Sequence, residues 1–574
     1  MLNPTEKDER SYLHTVIDLM RQIIVSLDEI VKKNQKELKE YKEYLWENLS
    51  ELDRAEKSAV RNNVTNSVLS SEAIMERKKR LRKMIEVPYF GRIDFTKSGD
   101  KDPLEIYVGI HSLYDPKNNK HIIYDWRAPI STMFYDYELG EAKYESPVGE
   151  LTGRIDLKRQ FRIRQSIMEL MLENSINIDD DILQKELSTT TDERMKNIVA
   201  TIQKEQNAII RNEEARNLII QGVAGSGKTS IALHRVAYIL YTYKGQIKSE
   251  DILIISPNKV FSDYISNVLP ELGEEQIEEC LMEELISKRV LEDKYTYQTF
   301  FEQVSEILET KDTTLIESVK FKSSREFIKL LDEYIVHLEN TAFQPVDIMV
   351  GIIPVANEWI KERFLALNRL PMRSRIPQIA KDIKAEFLHH FKKELTTQEM
   401  TRIRAELKKM LVIGTDLAVY ESFFKWCGHS DYFFKRKGKK LDYSDLAPIA
   451  YLHIALEGLK EEMPVKHLLV DEMQDYSPVQ YRLLTKLFRC RKTILGDAQQ
   501  NVNPFSSTNY DDIAFALYDA EVMKLCKSYR SSFEITEFAQ KISKSPDLVA
   551  VERHGEKPKV ICCKGSECEE IGTI

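Results

Sequence analysis

The sequence predicts an α/β protein with a parallel sheet, preceded by an N-terminal antiparallel coiled-coil hairpin and a small β-rich module and interrupted by a helical insertion. Three observations predict this class. Apolar residues recur at heptad spacing near the N-terminus, β-branched and aromatic runs follow Pro88, and apolar strands alternate with helices from residue 195 onward. With 42% apolar and 30% charged residues, the 574-residue chain is neither disordered nor fibrous and can bury several cores.

The first predicted element is one long helix over residues 6–52. Its apolar positions alternate steps of four and three and skip Asn34 and Asn48, which is a heptad seam. At 1.5 Å per residue this helix would be about 70 Å long. A second helical stretch over 55–86 would complete an antiparallel hairpin, either packed flat on the body or projecting toward a partner. The seam consists of Leu13, Ile17, Met20, Ile24, Leu27, Val31, Leu38, Tyr41, Leu45 and Leu52.

The second helix ends in a basic segment, residues 77–83, in which six of seven side chains are Lys or Arg. Such a run is either a solvated helix face or a contact for phosphate or an acidic protein. The net charge of −9 argues against a generally basic nucleic-acid-binding protein, although it allows a local basic patch.

A small β-rich module is predicted from residue 88 to about 170. The stretches Phe90–Phe95, Glu105–Ile110 and His121–Trp126 combine β-branched and aromatic residues between turn residues, and Lys158–Ile163 continues the pattern. Trp126 is expected to belong to the core.

The pattern of predicted secondary structure changes twice in the remainder of the chain. Residues 195–310 alternate apolar strands and helices, 311–440 are predicted to be helical, and the α/β pattern returns from Leu441. A capping box begins at Thr396, and the neighbouring His389 and His390 are expected to be ordinary surface or core residues.

The most specific motif is G-V-A-G-S-G-K-T at residues 222–229, between an apolar strand at 218–220 and a helical stretch to Leu240. Strand, G-x-x-x-x-G-K-T and helix together predict a P-loop, whose amides and helix N-terminus cradle phosphate. Lys228 would reach the β- and γ-phosphates, and Thr229 would bind Mg²⁺. The nucleotide-binding residues predicted here are Gly222, Val223, Ala224, Gly225, Ser226, Gly227, Lys228, Thr229 and Ser230.

A second motif is the acidic pair Asp471–Glu472 at the end of the apolar strand 466–470. Because the carboxyl ends of parallel strands meet at one edge of a sheet, this pair would face the P-loop. Asp471 would hold Mg²⁺, and Glu472 would orient and deprotonate the attacking water. The alternative is an ordinary acidic pair on the surface.

Two weaker signals follow. Gln500 comes shortly after the strand 493–496 and could sense the γ-phosphate. About thirty residues later, Arg530 could stabilise the transferring phosphoryl group, and Tyr529 could stack on the base.

The order of these motifs resembles that of superfamily 1 motors similar to UvrD and Rep. It begins with Gln206, continues through the P-loop and D-E-M-Q-D at 471–475, and ends with Gly496–Gln500 and Tyr529–Arg530. The resemblance implies two RecA-like domains with ATP between them, Gln206 reading the adenine, and a catalytic set of Lys228, Asp471, Glu472, Gln500 and Arg530. The same order argues against a GTPase or a kinase.

Outside the motor core, the chain resembles the HelD-type RNA polymerase recycling motors over nearly its whole length. The resemblance rests on the hairpin, on 88–95 (P-Y-F-G-R-I-D-F), on 124–131 (Y-D-W-R-A-P-I-S) and on 256–258 (S-P-N). It implies that the coiled coil enters the secondary channel of core RNA polymerase, that the helical insertion reaches toward the primary channel, and that ATP turnover releases the polymerase from nucleic acid. DNA is a further possible partner, and the chain is expected to be monomeric.

Two departures qualify the likeness to UvrD. The segment 501–505 (N-V-N-P-F) lacks the aromatic and arginine pair that grips single-stranded DNA, which argues against processive unwinding. The sequence ends at Ile574, so we expect an incomplete second RecA-like domain, and whether this chain hydrolyses ATP or only binds it stays open. Cys562, Cys563 and Cys568 lack a fourth ligand at suitable spacing and are not expected to bind a metal.

Three functions stay open at this point: a polymerase-releasing ATPase, a UvrD-like 3′–5′ DNA helicase, and a non-catalytic polymerase-binding protein. The charged start, the absence of an eighteen-residue apolar run and the seven scattered cysteines predict a cytoplasmic protein without membrane contact. The predicted segments are 1–87 (coiled-coil arm), 88–175 (β-rich module), 176–310 (P-loop part of the first RecA-like domain), 311–440 (helical insertion), 441–523 (Walker B part of that domain) and 524–574 (start of the second RecA-like domain).

Overall fold

The computed structural model divides the chain into two compact units. The first comprises Met1–Arg211, His234–Thr242 and Asn267–Glu275, and the second comprises Asn212–Leu233, Tyr243–Ser266 and Gln276–Ile574. The predicted division into six segments stays a prediction. The structure describes residues 4–48, 54–173, 202–257, 268–270, 272, 274–436, 438, 440–461, 463–498, 500, 509–528, 531–542, 544, 548–551 and 554–559.

The first unit begins with two long helices, α1 (Pro4–Glu47) and α2 (Arg54–Glu86), which pack against each other as a hairpin. The 44 residues of α1 give a length of about 66 Å. The inner part of the predicted seam is buried, namely Leu13, Ile17, Met20, Leu27 and Val31. Leu52 and the side chain of Leu45 lie outside the described residues.

Burial along the hairpin stops abruptly. Among the side chains that the structure describes between Lys32 and Arg80, none is buried. Asn34, which interrupts the seam, donates from Nδ2 to Ser71 Oγ at 3.4 Å, and its carbonyl accepts from Ser67 Oγ at 3.4 Å. The outer half of the hairpin is therefore held partly by polar contacts. Both interpretations of the hairpin, a flat-packed pair or a projecting arm, stay open.

The basic segment 77–83 lies on the inner half of α2. Lys78 forms an ion pair with Asp28 of α1, and the other five basic side chains of the segment are exposed. Both interpretations of this segment, solvated face or anion contact, stay open.

A seven-stranded sheet follows the hairpin. Its order is β3-β4-β2-β1-β6-β5, with β7 on β6, and all its pairings are antiparallel except β2 with β4. The four predicted stretches correspond to β1, β2, β4 and part of β6. The strands are β1 (Gly91–Lys97), β2 (Leu104–Gly109), β3 (Leu113–Asp115), β4 (Lys120–Asp125), β5 (Gly140–Ser146), β6 (Gly149–Arg164) and β7 (Ile167–Glu173).

The inner half of the hairpin is anchored on this sheet. Tyr12 stacks on Tyr107 with ring centroids 4.3 Å apart. The buried carboxylate of Glu9 accepts from Arg159 Nη1 at 2.6 Å, from Arg92 Nη1 at 2.8 Å and from Tyr107 OH at 3.0 Å. One hydrophobic cluster joins Leu13 and Met20 of α1 to aromatic residues of the sheet.

The turn that follows β4, at Trp126 and Arg127, is held by buried contacts within this unit. Trp126 is fully buried, as expected, and Arg127 pairs with Asp125 at 2.9 Å and with Glu274. Arg211 donates to the carbonyl of Trp126 at 2.7 Å. The short helices of this region are Pro129–Ser131 (3-10), Thr132–Asp136 and Lys204–Arg211.

The second unit contains a six-stranded parallel sheet in the order β10-β9-β15-β16-β8-β17. The strand that precedes the P-loop, β8, is separated from the strand that precedes the acidic pair, β15, by β16. All three strands end at the same edge. The strands are β8 (Asn217–Gly222), β9 (Ile252–Ile255), β10 (Glu278–Cys280), β15 (His467–Val470), β16 (Arg491–Gly496) and β17 (Glu521–Leu525).

Three two-stranded pairings accompany the parallel sheet. They are β11 (Thr296–Tyr297) with β14 (Lys440–Leu441), β12 (Ile348–Val350) with β13 (Ile353–Val355), and β18 (Lys527–Ser528) with β19 (Val549–Ala550).

Helices cover the parallel sheet and form the predicted insertion. One continuous hydrophobic cluster contains both strand residues such as Ile219 and insertion residues such as Phe327 and Phe423. The predicted capping box is present, with Glu399 N donating to Thr396 Oγ1 at 3.2 Å. His389 and His390 are exposed. The helices of this unit are Ser249–Asp251 (3-10), Met282–Leu285, Ile286–Val290 (π), Phe300–Thr310, Thr313–Lys322, Arg325–Thr341, Asn357–Ala366, Met372–Phe391, Thr397–Met410, Asp416–Trp426, Ser430–Tyr432 (3-10), Tyr443–Leu456, Met473–Asp475 (3-10), Pro478–Leu487, Tyr510–Leu517 and Phe533–Ile542, together with the first half of Lys228–Thr242.

The fold class predicted from the sequence is confirmed: an α/β protein with a parallel sheet, an N-terminal helical hairpin, a β-rich module and many additional helices. Among the residues that the structure describes, no helix combines the length and apolar character needed to cross a bilayer.

Candidate nucleotide site

The P-loop follows β8, whose six residues are all buried. Gly225 and Gly227 adopt φ of +75° and +79°, a left-handed backbone that side chains with a Cβ rarely adopt. A Cβ on Gly222 would lie 2.5 Å from Lys228 Cγ and 2.6 Å from Ser226 Oγ. Glycine at these three positions therefore lets the backbone turn back on itself and open its amides toward an anion.

Lys228 begins the helix that leaves the P-loop. Its Nζ donates to the carbonyl of Gly222 at 3.0 Å and to that of Val223 at 3.3 Å. Burial lowers the pKa of the Lys228 ammonium, while Asp497, Glu472 and Asp471 act in the opposite direction. The lysine is thus held on the loop beside three carboxylates, where a phosphate could take over its hydrogen bonds.

Two contacts, one from the end of β17 and one from β18, brace the P-loop. Val223 N donates to the carbonyl of Leu525 at 3.1 Å, and Ser528 Oγ donates to the carbonyl of Ala224 at 2.8 Å. In the sequence, Ser528 is notable only as the neighbour of Tyr529. Its bracing contact becomes visible only in three dimensions.

Asp471 follows β15 and meets the P-loop helix. Its Oδ2 lies 3.5 Å from Thr229 Oγ1, and its backbone N–H donates to the carbonyl of Ile255 at 2.9 Å. Burial, with a further contribution from the neighbouring Glu472, raises the pKa of Asp471 to about 7. A buried carboxylate beside a hydroxyl is a natural place for a divalent cation, which would favour its charged form.

Glu472 has an unusual backbone conformation, with φ of +48°. Its N–H donates to Asp471 Oδ1 at 2.8 Å, and the following turn is held by Tyr481 OH, which donates to the carbonyl of Met473 at 2.8 Å. The left-handed residue and these two hydrogen bonds fix the turn that follows β15.

Gln474 connects Glu472 to the end of β16. Its Nε2 donates to Glu472 Oε2 at 2.8 Å, and its Oε1 accepts from Asp497 N at 2.9 Å. Gln221, the last residue before the P-loop, reaches the same segment from the other side, with Nε2 donating to Asp497 Oδ1 at 3.1 Å. Neither glutamine is among the predicted site residues, although Gln474 lies within the D-E-M-Q-D motif and Gln221 adjoins the P-loop.

Comparison with known protein families gives two matches. Residues 7–195 match the N-terminal domain of DNA helicase IV HelD, and residues 202–515, more than half of the chain, match the UvrD/REP helicase N-terminal domain. The chain belongs to the UvrD/REP helicase family. Together, the two matches confirm the HelD-type resemblance predicted from the motifs. A comparison with curated protein sequences found no match.

The remaining predicted residues of this UvrD/REP-type chain are placed as follows. Ser230 is buried in the P-loop helix, and Gln500 is exposed, with its N–H donating to the carbonyl of Asp497 at 2.9 Å. Gln206 lies in the first unit, buried, where its Oε1 accepts from Gln203 N at 3.1 Å. Tyr529, Arg530, residues 501–505 and the cysteines Cys562, Cys563 and Cys568 lie outside the described residues.

The residues present fit a nucleotide and a magnesium ion, which the UvrD/REP family implies. Two left-handed glycines, a helix N-terminus and Lys228 suit a triphosphate, and Thr229 with Asp471 supplies hard oxygen ligands. Within the described part of the chain, no group of three or more His, Cys, Asp or Glu could hold a metal by itself. Magnesium completed by phosphate and water oxygens is consistent with this small donor set.

Proposed function

We propose that this chain is an ATP-hydrolysing superfamily 1 motor that docks on core RNA polymerase and releases it from nucleic acid. The observation that carries the proposal is the convergence of Lys228, Thr229, Asp471 and Glu472 at the carboxyl ends of two strands of one parallel sheet, β8 and β15, with β16 between them. A P-loop with an adjacent acidic pair suits phosphoryl transfer to water.

Each residue has a defined part in the proposed reaction. Lys228 binds the phosphates, and Thr229 with Asp471 would hold Mg²⁺, which neutralises phosphate charge when bound. Glu472 orients a water molecule and accepts its proton. Gln500 senses the γ-phosphate, Arg530 stabilises the transferring group, Gln206 reads the adenine and Tyr529 stacks on it.

Docking is assigned to the hairpin and to the helical insertion. The outer half of the hairpin contains exposed aromatic residues, with Trp46 83% and Tyr44 48% exposed. In the insertion, Ile352 at the β12–β13 turn is 93% exposed. Trp and Tyr are enriched at protein–protein interfaces, and the HelD match covers residues 7–195, which include most of the hairpin. The proposal places the protein in the cytoplasm as a monomer.

The test measures release of core polymerase from an immobilised DNA–RNA scaffold, with and without ATP. We expect the wild-type chain to bind polymerase and to release it when ATP is present. Glu472→Gln should bind ATP and polymerase but show no ATP turnover. The double variant Trp46→Ala, Tyr44→Ala should lose polymerase binding while keeping basal ATP turnover. Exposed Leu308→Ala, in the other unit, is the control. ATP-dependent unwinding of a tailed duplex without any polymerase effect would contradict the proposal and support the DNA helicase.

A further inference from the structure

We propose that Gln474 is a positioning residue that fixes the carboxylate of Glu472 and couples it to the segment Asp497–Ala498, which precedes Gln500. Gln221 holds the same segment from the side of the P-loop. This inference rests on the proposed ATP hydrolysis and adds the residues on which the orientation of the water-activating group depends.

The orientation of the Gln474 amide follows from its partners. The backbone N–H of Asp497 can only donate, so the atom of Gln474 that lies 2.9 Å from it is the oxygen. The amide nitrogen then faces Glu472 Oε2 at 2.8 Å and donates to it. Because Gln474 is only 4% exposed, water competes poorly for these two hydrogen bonds.

Gln221 forms a matching pair of contacts on the opposite side. Its Nε2 donates to Asp497 Oδ1 at 3.1 Å, and its Oε1 accepts from Ala498 N at 3.2 Å. Consecutive backbone amides, those of Asp497 and Ala498, are therefore bound by two different glutamines. We call Gln221 and Gln474 the glutamine clamp.

The clamp connects three parts of the site through short, directed contacts. Gln221 directly precedes the P-loop, Gln474 lies two residues after Glu472, and the clamped segment leads to Gln500. A displacement of Asp497 would move the Gln474 amide and, through it, the carboxylate of Glu472. Since Glu472 is only half-buried, its side chain would have several rotamers open to it without this hydrogen bond.

Close packing leaves the clamp little freedom. A Cβ on Gly496 would lie 2.4 Å from Gln474 Oε1 and 2.5 Å from Met473 N. The strand end and the turn thus approach as closely as glycine permits. This close approach limits the movement of the Gln474 amide, which suits a residue that sets the direction of another side chain.

The experiment compares Gln474→Ala with Gln480→Ala in the full chain. Gln480 is equally buried and belongs to the next helix, but its side chain caps Ser477 and contacts Tyr443 OH at 3.1 Å rather than Glu472. We expect Gln474→Ala to lower kcat about 10- to 100-fold with KM for ATP within about twofold. Gln480→Ala should keep kcat within about threefold of the wild type. If Gln474→Ala fails to fold, Gln474→Met preserves length and bulk.

Binding of ADP with aluminium fluoride supplies a second measurement. Gln474→Ala should lose affinity for this transition-state mimic by a factor similar to its loss in kcat while binding ADP normally. Gln474→Glu should fail as well, because a carboxylate cannot donate to Glu472 and repels it. Equal kcat in the Gln474 and Gln480 variants, or a loss confined to KM, would overturn the positioning role alone. A wild-type chain without any turnover would overturn the proposed function and this inference with it.

Discussion

Thr229 and Asp471 are 242 residues apart in the chain, yet Thr229 Oγ1 lies 3.5 Å from Asp471 Oδ2. The parallel sheet produces this contact because β8 and β15 end at the same edge with only β16 between them. The two proposed ligands for one cation would therefore come from distant motifs. Their separation makes the cation site sensitive to the packing of the sheet.

Removal of either oxygen should weaken binding of the magnesium complex of ATP. We expect Thr229→Val and Asp471→Asn to lower affinity about tenfold or more with Mg²⁺ present, and to have little effect with EDTA. Titration of a fluorescent ATP analogue under both conditions measures this difference. Thr242→Val, at the exposed end of the same helix, is the control. An equal loss with and without the cation would show that these side chains do not bind it.

Gly496→Ala tests the close approach between β16 and the turn after Glu472. The added methyl group would lie 2.4 Å from Gln474 Oε1 and 2.7 Å from Met473 Cγ, so the turn would have to move. We expect a loss of about 1–3 kcal/mol in the free energy of unfolding, measured by urea titration, together with reduced ATPase. Gly414→Ala, which meets only Ala418 Cβ at 3.0 Å, should cost clearly less.

Asp475→Asn should change how stability depends on pH. Burial, and then the nearby Glu472, raises the pKa of Asp475 to about 6, and the carboxylate lines a cavity of about 20 Å³ together with Lys322 and Tyr443. Its Oδ1 accepts no hydrogen bond from the described residues. Between about pH 4 and pH 6 the folded protein keeps a proton that the unfolded chain releases, so wild-type stability falls as pH rises through this window.

The asparagine variant does not titrate and avoids this loss. Its free energy of unfolding should equal that of the wild type near pH 4 and exceed it by about 1 kcal/mol at pH 8. This figure is reduced for solvent screening because Asp475 is half-buried. Thermal melts across this pH range measure the difference. Asp431→Asn, at an exposed position, should show no such trend. A constant difference across the range would contradict the assigned pKa.

Glu9→Gln tests the anchorage of the hairpin on the β-rich sheet. The variant removes a charge that two guanidinium groups share in a buried position, which should cost about 3 kcal/mol. Hydrogen exchange should accelerate in the first turns of α1. Glu6→Gln, one turn earlier, removes a partly exposed pair with Arg10 and should cost about 1 kcal/mol or less. Similar effects of the two substitutions would rule out Glu9 as the anchor.

Much of the site was predictable because its chemistry lies in contiguous motifs. The P-loop and the acidic pair each follow a buried apolar strand, so both their residues and their meeting edge follow from sequence. The glutamine clamp and the bracing Ser528 were not predicted. Gln221 and Ser528 have partners hundreds of residues away, Gln474 contacts Asp497 beyond the next helix, and a glutamine or serine has no distinctive pattern of its own.

The strands, like the site residues, divide into those that the sequence predicts and those that it does not. β1, β2 and β4 have β-branched residues and clear turns, whereas β7 has the sequence I-M-E-L-M-L-E, which favours a helix. Pairing with β6 overrides that preference. β3 has only three residues and gives no periodic signal. Such strands form because they pair with other strands, and the local sequence pattern contains no information about that pairing.

The change of burial at Val31 has a mechanical consequence. Beyond this residue α1 continues for about 24 Å to Glu47 with no buried side chain among those described. A force applied near Trp46 would act as torque on the inner turns of the helix, where Glu9, Arg92 and Arg159 resist rotation. The hairpin can therefore work as a stiff lever whose fulcrum is a buried ionic cluster.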